Sequence, residues 1–347
     1  MHRPWTAFAL AVAMLPAAGP AAAQPAPATP PAGDDAFLWL EDVTGDRALD
    51  WVRAQNARTQ QQLASSPEFE ALRADLLEVL DSTARIPYVS KRGPHYYNFW
   101  RDAKNPRGLW RRTSLEEYRK AEPAWEVVID LDALAAAEKE NWVWRGAQLL
   151  EPGYDRALVA LSRGGADATV VREFDMATRA FVADGFVLPE AKGGLSWIDA
   201  DHVYVTTDFG PGSLTSSGYP RIAKRWRRGT PLAAAVTVYD GQPTDVSVSA
   251  AYDNTPGFER HCVQRGIAFY RSETFLLKAD GTLAKIDVPE DANPDVFREW
   301  LTVELRSPWT VGGATYPAGA LLATRFDDFM AGKRQFTVVF APTPTTS

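Results

Sequence analysis

The sequence predicts a mainly β fold, a β-propeller of about five blades that follows a short helical segment. Residues 195–241 contain four short apolar or alternating segments, separated by turns rich in Gly, Pro, Asp and Ser. This pattern is typical of β-strands joined by tight turns. Four strands in about 47 residues match one propeller blade, and strand-like groups recur along the chain at a spacing of about 50 residues.

From about residue 85 onward, apolar residues alternate with a period of two. Besides the four segments already described, the sequence predicts strands at 96–100, 109–113, 125–130, 157–161, 169–175, 246–252, 260–264, 267–270, 300–305 and 336–340, and a hairpin at 274–286. No long helix separates these groups, so a parallel sheet with helical crossovers is not expected. Residues 81–347 divided by about 50 residues for each unit give about five blades.

The segment before the strands, residues 34–83, has a helical pattern. Ser66 followed by Pro67 is a typical helix start, with a capping side chain and a proline in the first turn. One face at helical spacing is formed by Phe69, Leu72, Leu76 and Leu80. Helices of this size have little core of their own, so we expect another structure to pack on them.

The N-terminus carries the three parts of a secretory signal peptide in order. His2 and Arg3 are basic, residues 5–15 are apolar, and residues 21–23 are small alanines that suit cleavage before Gln24. The alternative is a buried N-terminal helix. We therefore predict a signal peptide at 1–23, a Pro/Ala linker at 24–33, and export to the periplasm or the medium. No later segment approaches about 18 continuous apolar residues, so no membrane contact is expected after signal cleavage.

Composition excludes several function classes. The net charge of −7 argues against nucleic acid as a partner. The one cysteine, Cys262, leaves no internal disulfide. The basic run at 224–228 is interpreted as a solvated strand edge, because nucleic-acid binding would need more than one such run.

The sequence offers few candidates for chemistry. His261 and Cys262 are adjacent, but neighbours on a strand point to opposite faces, so they are not expected to form a catalytic pair. Substrate contact from the inner rim of the propeller is the alternative for this pair. His95 and His202 lack a second ligand at metal-binding spacing. We assign no catalytic, cofactor-binding or metal-binding residue.

Several segments together resemble the N-terminal portion of prolyl oligopeptidase-type serine peptidases. They are residues 37–56, 96–113, 161–175, 206–221 and 225–232. The resemblance implies a seven-bladed propeller inserted between an N-terminal helical segment and a C-terminal α/β-hydrolase domain on which that segment packs. It also implies that the propeller covers the active site and admits short peptides, which are cleaved after proline.

On this resemblance, residues 34–83 are the N-terminal helical segment of the peptidase domain and 84–347 are an incomplete propeller. The family's catalysis depends on a Ser-Asp-His triad whose serine lies in a G-x-S-x-G turn. This sequence contains no such pattern, so we expect the hydrolase domain to be missing and the chain to be inactive alone. The alternative is a stand-alone propeller that binds peptides or proteins, or the partner of a separately encoded hydrolase half.

Overall fold

The computed structural model describes residues 35–343 and 345–346, so the predicted signal peptide and linker lie outside the described residues. The chain divides into two compact units, Met1–Ala84 and Arg85–Ser347. Within the described residues, no helix combines the length and apolar character needed to cross a membrane.

The first unit is helical in its described part. It contains a 3-10 helix at Leu38–Glu41, α1 at Asp46–Leu63 and α2 at Pro67–Asp81. The predicted start of α2 is confirmed, because the Ser66 hydroxyl accepts a hydrogen bond of 3.2 Å from the Phe69 N–H and Pro67 occupies the first turn. The apolar face predicted for this helix is exposed at Leu72, Leu76 and Leu80.

The second unit consists of five antiparallel sheets in chain order, each with at least four strands. The first blade contains β1 (Ser90–Arg92), β2 (His95–Trp100), β3 (Leu109–Ser114) and β4 (Glu126–Asp130). The second contains β5 (Trp142–Leu149), β6 (Arg156–Arg163), β7 (Thr169–Asp175), β8 (Ala180–Phe181) and β9 (Val187–Ala191). The third contains β10 (Gly194–Trp197), β11 (His202–Thr206), β12 (Ile222–Arg227) and β13 (Val236–Asp240).

The fourth blade contains β14 (Ser247–Asp253), β15 (Arg260–Ala268), β16 (Arg271–Leu277) and β17 (Leu283–Lys285). The fifth contains β18 (Asn293–Phe297), β19 (Trp300–Glu304), β22 (Leu321–Arg325) and β23 (Thr337–Phe340), with the hairpin β20 (Trp309–Val311) and β21 (Ala314–Tyr316) inserted. Short helices lie in the connections: α3 (Leu115–Tyr118), α4 (Leu131–Glu138), α5 (Phe326–Met330) and a 3-10 helix at Leu232–Ala234. The predicted five-bladed, mainly β architecture is therefore confirmed.

The four segments at 195–241 form the third blade as predicted, in the sheet order β10-β11-β12-β13. One detail of the fourth blade differs from the prediction. Residues 267–270 are not a separate strand, because β15 continues to Ala268, which pairs with Arg271 across a tight turn. The register shifts between Gly266 and Ala268, and this irregularity breaks the alternation that a sequence pattern can detect.

The hydrophobic core lies between successive sheets. Apolar clusters join the first blade to the second, the second to the third, the third to the fourth, and the fourth to the fifth. The first strands β10 and β14 each pack against the preceding blade. Since propeller blades converge toward their common axis, these contacts place the first strands on the inner side of the ring.

Candidate functional site

A cleft lies between the first two blades, next to their first strands. Its volume is about 220 Å³. The lining residues are Tyr88, Ser90, Arg92, Tyr97, Asn98, Phe99, Trp110, Trp144, Ala147 and Leu149. Ser90 and Arg92 come from β1 and Ala147 and Leu149 from β5, so the cleft opens where the two blades approach the axis.

Four aromatic rings form the wall of the cleft. Phe99 of the first blade stacks on Trp144 of the second, with ring centroids 5.2 Å apart and planes at 8°. Tyr97 stacks on Trp110 at 5.4 Å, and Trp110 reaches Trp144 at 5.4 Å. Tyr97 and Trp110 are almost completely buried. Because their neighbours hold these rings in place, the wall is rigid.

A β-bulge lies next to the cleft in the second blade. The register of β5 against β6 shifts between Trp144 and Gly146. Gly146 has φ +127°, a conformation that favours glycine, and a Cβ built there would meet no atom within 4 Å. Bulges often occur beside functional sites, where they redirect side chains. Here the bulge lies between Trp144 and Ala147, which both line the cleft.

The polar side of the cleft is fixed by hydrogen bonds. The Asn98 side-chain amide donates to the Tyr88 carbonyl at 2.8 Å, and its Oδ1 accepts from Arg111 Nε at 3.0 Å. Two of the four rings, Tyr97 and Trp110, belong to the buried core between the blades, and the accessible lining of the cleft is more polar than apolar. The cleft therefore offers hydrogen-bonding groups beside the partly buried Phe99 and Trp144 rings.

The structure places His261 and Cys262 as neighbours on β15. Cys262 is partly exposed, and burial of its thiol raises the pKa of that thiol to about 11. The thiol therefore stays protonated near neutral pH and is a poor nucleophile. His261 instead lies 2.8 Å, through Nδ1, from the Tyr204 hydroxyl and stacks on Tyr252 with centroids 4.5 Å apart. His261 is therefore a structural part of the contact between the third and fourth blades.

The other histidines have structural surroundings. His202 Nδ1 lies 3.0 Å from the Asp199 carboxylate, and His95 packs edge-on against Tyr97. Across the residues that the structure describes, no group of three or more His, Cys, Asp or Glu side chains could hold a metal ion.

The environment of His261 predicts a pH-dependent stability. Burial, together with the nearby Arg225 charge, lowers the pKa of His261 below its ordinary value of 6.5. The folded chain therefore binds fewer protons here than the unfolded chain, so the free energy of unfolding should fall as the pH drops from about 7 to about 5. Urea unfolding at the two pH values measures this loss. His261→Gln should reduce the pH dependence, and an unchanged dependence would contradict this role for His261.

The interpretation of residues 224–228 as a solvated strand edge is wrong for two of them. β12 lies inside its sheet, between β11 and β13, so alternate side chains point into the interface between blades. Trp226 is buried. Arg228 donates to both carboxylate oxygens of Glu173, at 2.8 Å and 3.0 Å, and the Glu173 side chain is only 1% exposed.

This Arg228–Glu173 pair joins the third blade to the second, and sequence reasoning missed it. The two residues are 55 positions apart, and neither belongs to a recognisable local motif. Sequence reasoning also missed the cleft between the first two blades, because its aromatic residues come from two separate sheets.

Comparison with known proteins identifies the family. Residues 27–255 match the family model described as the prolyl oligopeptidase N-terminal β-propeller domain. The chain belongs to the prolyl oligopeptidase family. The resemblance drawn from the sequence segments is thereby confirmed.

The chain is similar to two uncharacterized peptidases. One, from Sinorhizobium fredii, is 37% identical over 298 residues, which cover 83% of this chain and 41% of that protein. The other, from Rickettsia prowazekii, is 28% identical over 322 residues, which cover 88% of this chain and 45% of that protein. Among solved structures, a post-proline cleaving enzyme from Rickettsia typhi superimposes with a TM-score of 0.81 at 29% identity, covering 88% of this chain and 47% of that one. The chain thus spans less than half the length of each of these relatives.

Proposed function

We propose that this chain is the propeller-bearing region of an exported prolyl oligopeptidase-type serine endopeptidase that acts on short proline-containing peptides. The observation that carries this proposal is the match of residues 27–255 to the family's propeller, together with the five successive antiparallel blades. The signal-like N-terminus supports the exported location.

In this proposal the propeller contributes access and peptide contact, while a hydrolase domain contributes the chemistry. The sequence contains no G-x-S-x-G turn, which in such hydrolases presents the nucleophile. The exposed apolar face of α2, formed by Leu72, Leu76 and Leu80, suits packing on a separate domain. The cleft beside Trp144 offers hydrogen-bonding groups to a peptide that has entered the propeller.

The proposal predicts that the purified chain neither cleaves a proline-containing chromogenic peptide nor reacts with a serine-directed covalent probe. Activity should appear when the chain is coexpressed with the part of the Sinorhizobium fredii peptidase that lies beyond its matched region. That part expressed alone is the control, because it lacks the matched propeller blades.

Turnover or labelling by the chain alone would contradict the proposal that a separate hydrolase domain contributes the chemistry. Failure of coexpression to generate activity, combined with retained binding of proline-containing peptides, would favour a stand-alone binding module instead. Reading the DNA beyond the codon for Ser347 is a further discriminator, since an in-frame or frameshifted continuation with a G-x-S-x-G turn supports the peptidase.

A further inference from the structure

The inner strand of the second blade carries a bulge that exposes an arginine. In β5, Trp144 and Gly146 pair with consecutive residues of β6. Arg145 between them is therefore an extra residue without a cross-strand partner, and bulges of this kind change the direction in which a side chain points. Arg145 is exposed. Because blades pack on both sides of β5, this side chain meets solvent on the inner side of the ring.

The inner strand of the third blade lies beside this bulge. The Trp197 indole N–H of β10 donates to the Gln148 carbonyl at 3.0 Å, and the Trp197 backbone N–H donates to the Gln148 side-chain oxygen at 3.3 Å. Since every blade starts with its inner strand and repeats the same strand order, neighbouring inner strands run in the same direction. Arg145 and Gly194 each lie three residues before these partners, so they are at the same level.

Two glycines leave open space at this level. A Cβ built at Gly146 would meet no atom within 4 Å, and the same is true of Gly194. Gly194 does not have a positive φ, so its backbone does not require a glycine. A glycine inside a strand often marks a place where a ligand or another backbone approaches closely. We call the space bordered by Arg145, Gly146 and Gly194 the glycine slot.

The charge beside the slot is positive. In the part of the chain that the structure describes, Arg145 forms no ion pair. The Asp167 carboxylate is near, but it accepts a hydrogen bond from the Tyr219 hydroxyl and lies 3.6 Å from Lys192 Nζ. The Tyr219 hydrogen bond is the main cause that lowers the pKa of Asp167, and the charges of Lys192 and Arg145 add to it. Two cations therefore share one carboxylate, which leaves a positive charge in excess.

The inner strands of the first three blades add to this positive charge. β1, β5 and β10 contain Lys91, Arg92 and Arg145 but no Asp or Glu. A concave space lined by one sign of charge concentrates ligands of the opposite sign. The second and third blades each have a packed neighbour on both sides, so the slot opens toward the axis and not toward an uncovered blade face.

We propose that the glycine slot binds the carboxylate of a short peptide that has entered the propeller. The Arg145 guanidinium donates to the carboxylate, and the peptide backbone passes over Gly146 and Gly194, where no side chain blocks it. This inference rests on the proposed peptidase function and adds a preference for anionic peptides. The carboxylate belongs to the C-terminus of the peptide or to an Asp or Glu side chain, two sources that share the same chemistry.

The test measures peptide binding to the full chain by isothermal titration calorimetry. Acetyl-Ala-Pro-Ala-Ala is compared with its C-terminal amide, and the amide of acetyl-Ala-Pro-Glu-Ala is compared with its Gln counterpart. In at least one pair, the peptide with the carboxylate should bind about fivefold more tightly, the strength of one partly exposed ion pair. A preference in the first pair identifies the C-terminal carboxylate, and one in the second identifies the side chain. Added salt should reduce the preference.

Three variants locate the binding site. Arg145→Gln should abolish the preference for the carboxylate, because it removes the charge. Arg119→Gln is the matched control, since it removes the charge of an exposed arginine that follows α3 in the first blade and should keep the preference. Gly194→Val should weaken binding of charged and neutral peptides alike, because its side chain fills the slot while Arg145 keeps its charge. Circular dichroism of each variant checks folding.

Four results would overturn the proposal. They are equal binding within both peptide pairs, a preference that persists in Arg145→Gln, unchanged binding by folded Gly194→Val, and no binding of any of the four peptides at about 10 mM. The coexpression experiment tests the peptidase function separately. Cleavage there combined with any of these four results would exclude the slot and leave the proposed peptidase function standing.

Discussion

Replacing Arg228 by Met is expected to destabilise the propeller by about 3–5 kcal/mol, because it leaves a carboxylate buried without its cation. The Glu173 side chain is 1% exposed and accepts from Arg228 at 2.8 Å and 3.0 Å. The Phe186 N–H also donates to Glu173 Oε2, at 2.9 Å, but one neutral donor does not compensate a full charge. Urea unfolding followed by tryptophan fluorescence should show a lower midpoint with an unchanged slope.

The control is an exposed ion pair with a similar distance between its charged nitrogen and oxygen atoms. Lys333 lies 2.8 Å from Asp328, but their side chains are 60% and 46% exposed, so Lys333→Met should leave the midpoint nearly unchanged. Combining Arg228→Met with Glu173→Leu should recover much of the lost stability, because both charges are then absent. Equal losses for Arg228→Met and Lys333→Met would show that the buried pair does not stabilise the contact between blades.

The sequence predicts those parts of this fold that depend on neighbours along the chain. The third blade is an example. Val203 and Val205 alternate with polar residues and are completely buried in the structure, and turns rich in Gly, Asp and Pro separate the strands. Hairpins of this kind are encoded locally, so the sequence predicts the blades whose strands alternate clearly and are separated by turn residues.

The strand β9 (Val187–Ala191) was missed for a local reason. Pro189 lies in its middle, and proline within an apolar run argues against a central strand because it lacks an N–H donor. The structure places β9 beside β7 in a position where only one side is paired. An edge position tolerates proline, but the sequence does not show that this segment is at an edge.

The contacts between blades could not be predicted from the sequence. Trp110 and Trp144 belong to different sheets, and their rings meet at 5.4 Å only because the two sheets stack face to face. The cleft beside them depends on that stacking. Periodicity predicts that a side chain points out of its own sheet, but it does not predict which residue of the next sheet it meets.

Phe186→Ala is expected to cost about 3–5 kcal/mol, because it opens a cavity at the contact between the second and third blades. Phe186 is 2% exposed. Its ring packs edge-to-face against Trp226 at 5.1 Å and Trp197 at 5.9 Å. Since tryptophans line the position on two sides, the surrounding structure has little freedom to collapse into the space. Urea unfolding again measures the loss.

Phe269→Ala removes the same side-chain atoms from a position that is 84% exposed, so it should leave the unfolding midpoint nearly unchanged. The Phe186 ring also lies 4.7 Å beneath the Arg228 guanidinium. Phe186→Ala and Arg228→Met should therefore be non-additive, since residues in direct contact couple in a double-mutant cycle. Strict additivity would mean that the ring and the ion pair stabilise the contact between blades independently. Coupling would instead make Phe186, Arg228 and Glu173 one cooperative unit, in which the aromatic ring orients the guanidinium for the buried carboxylate.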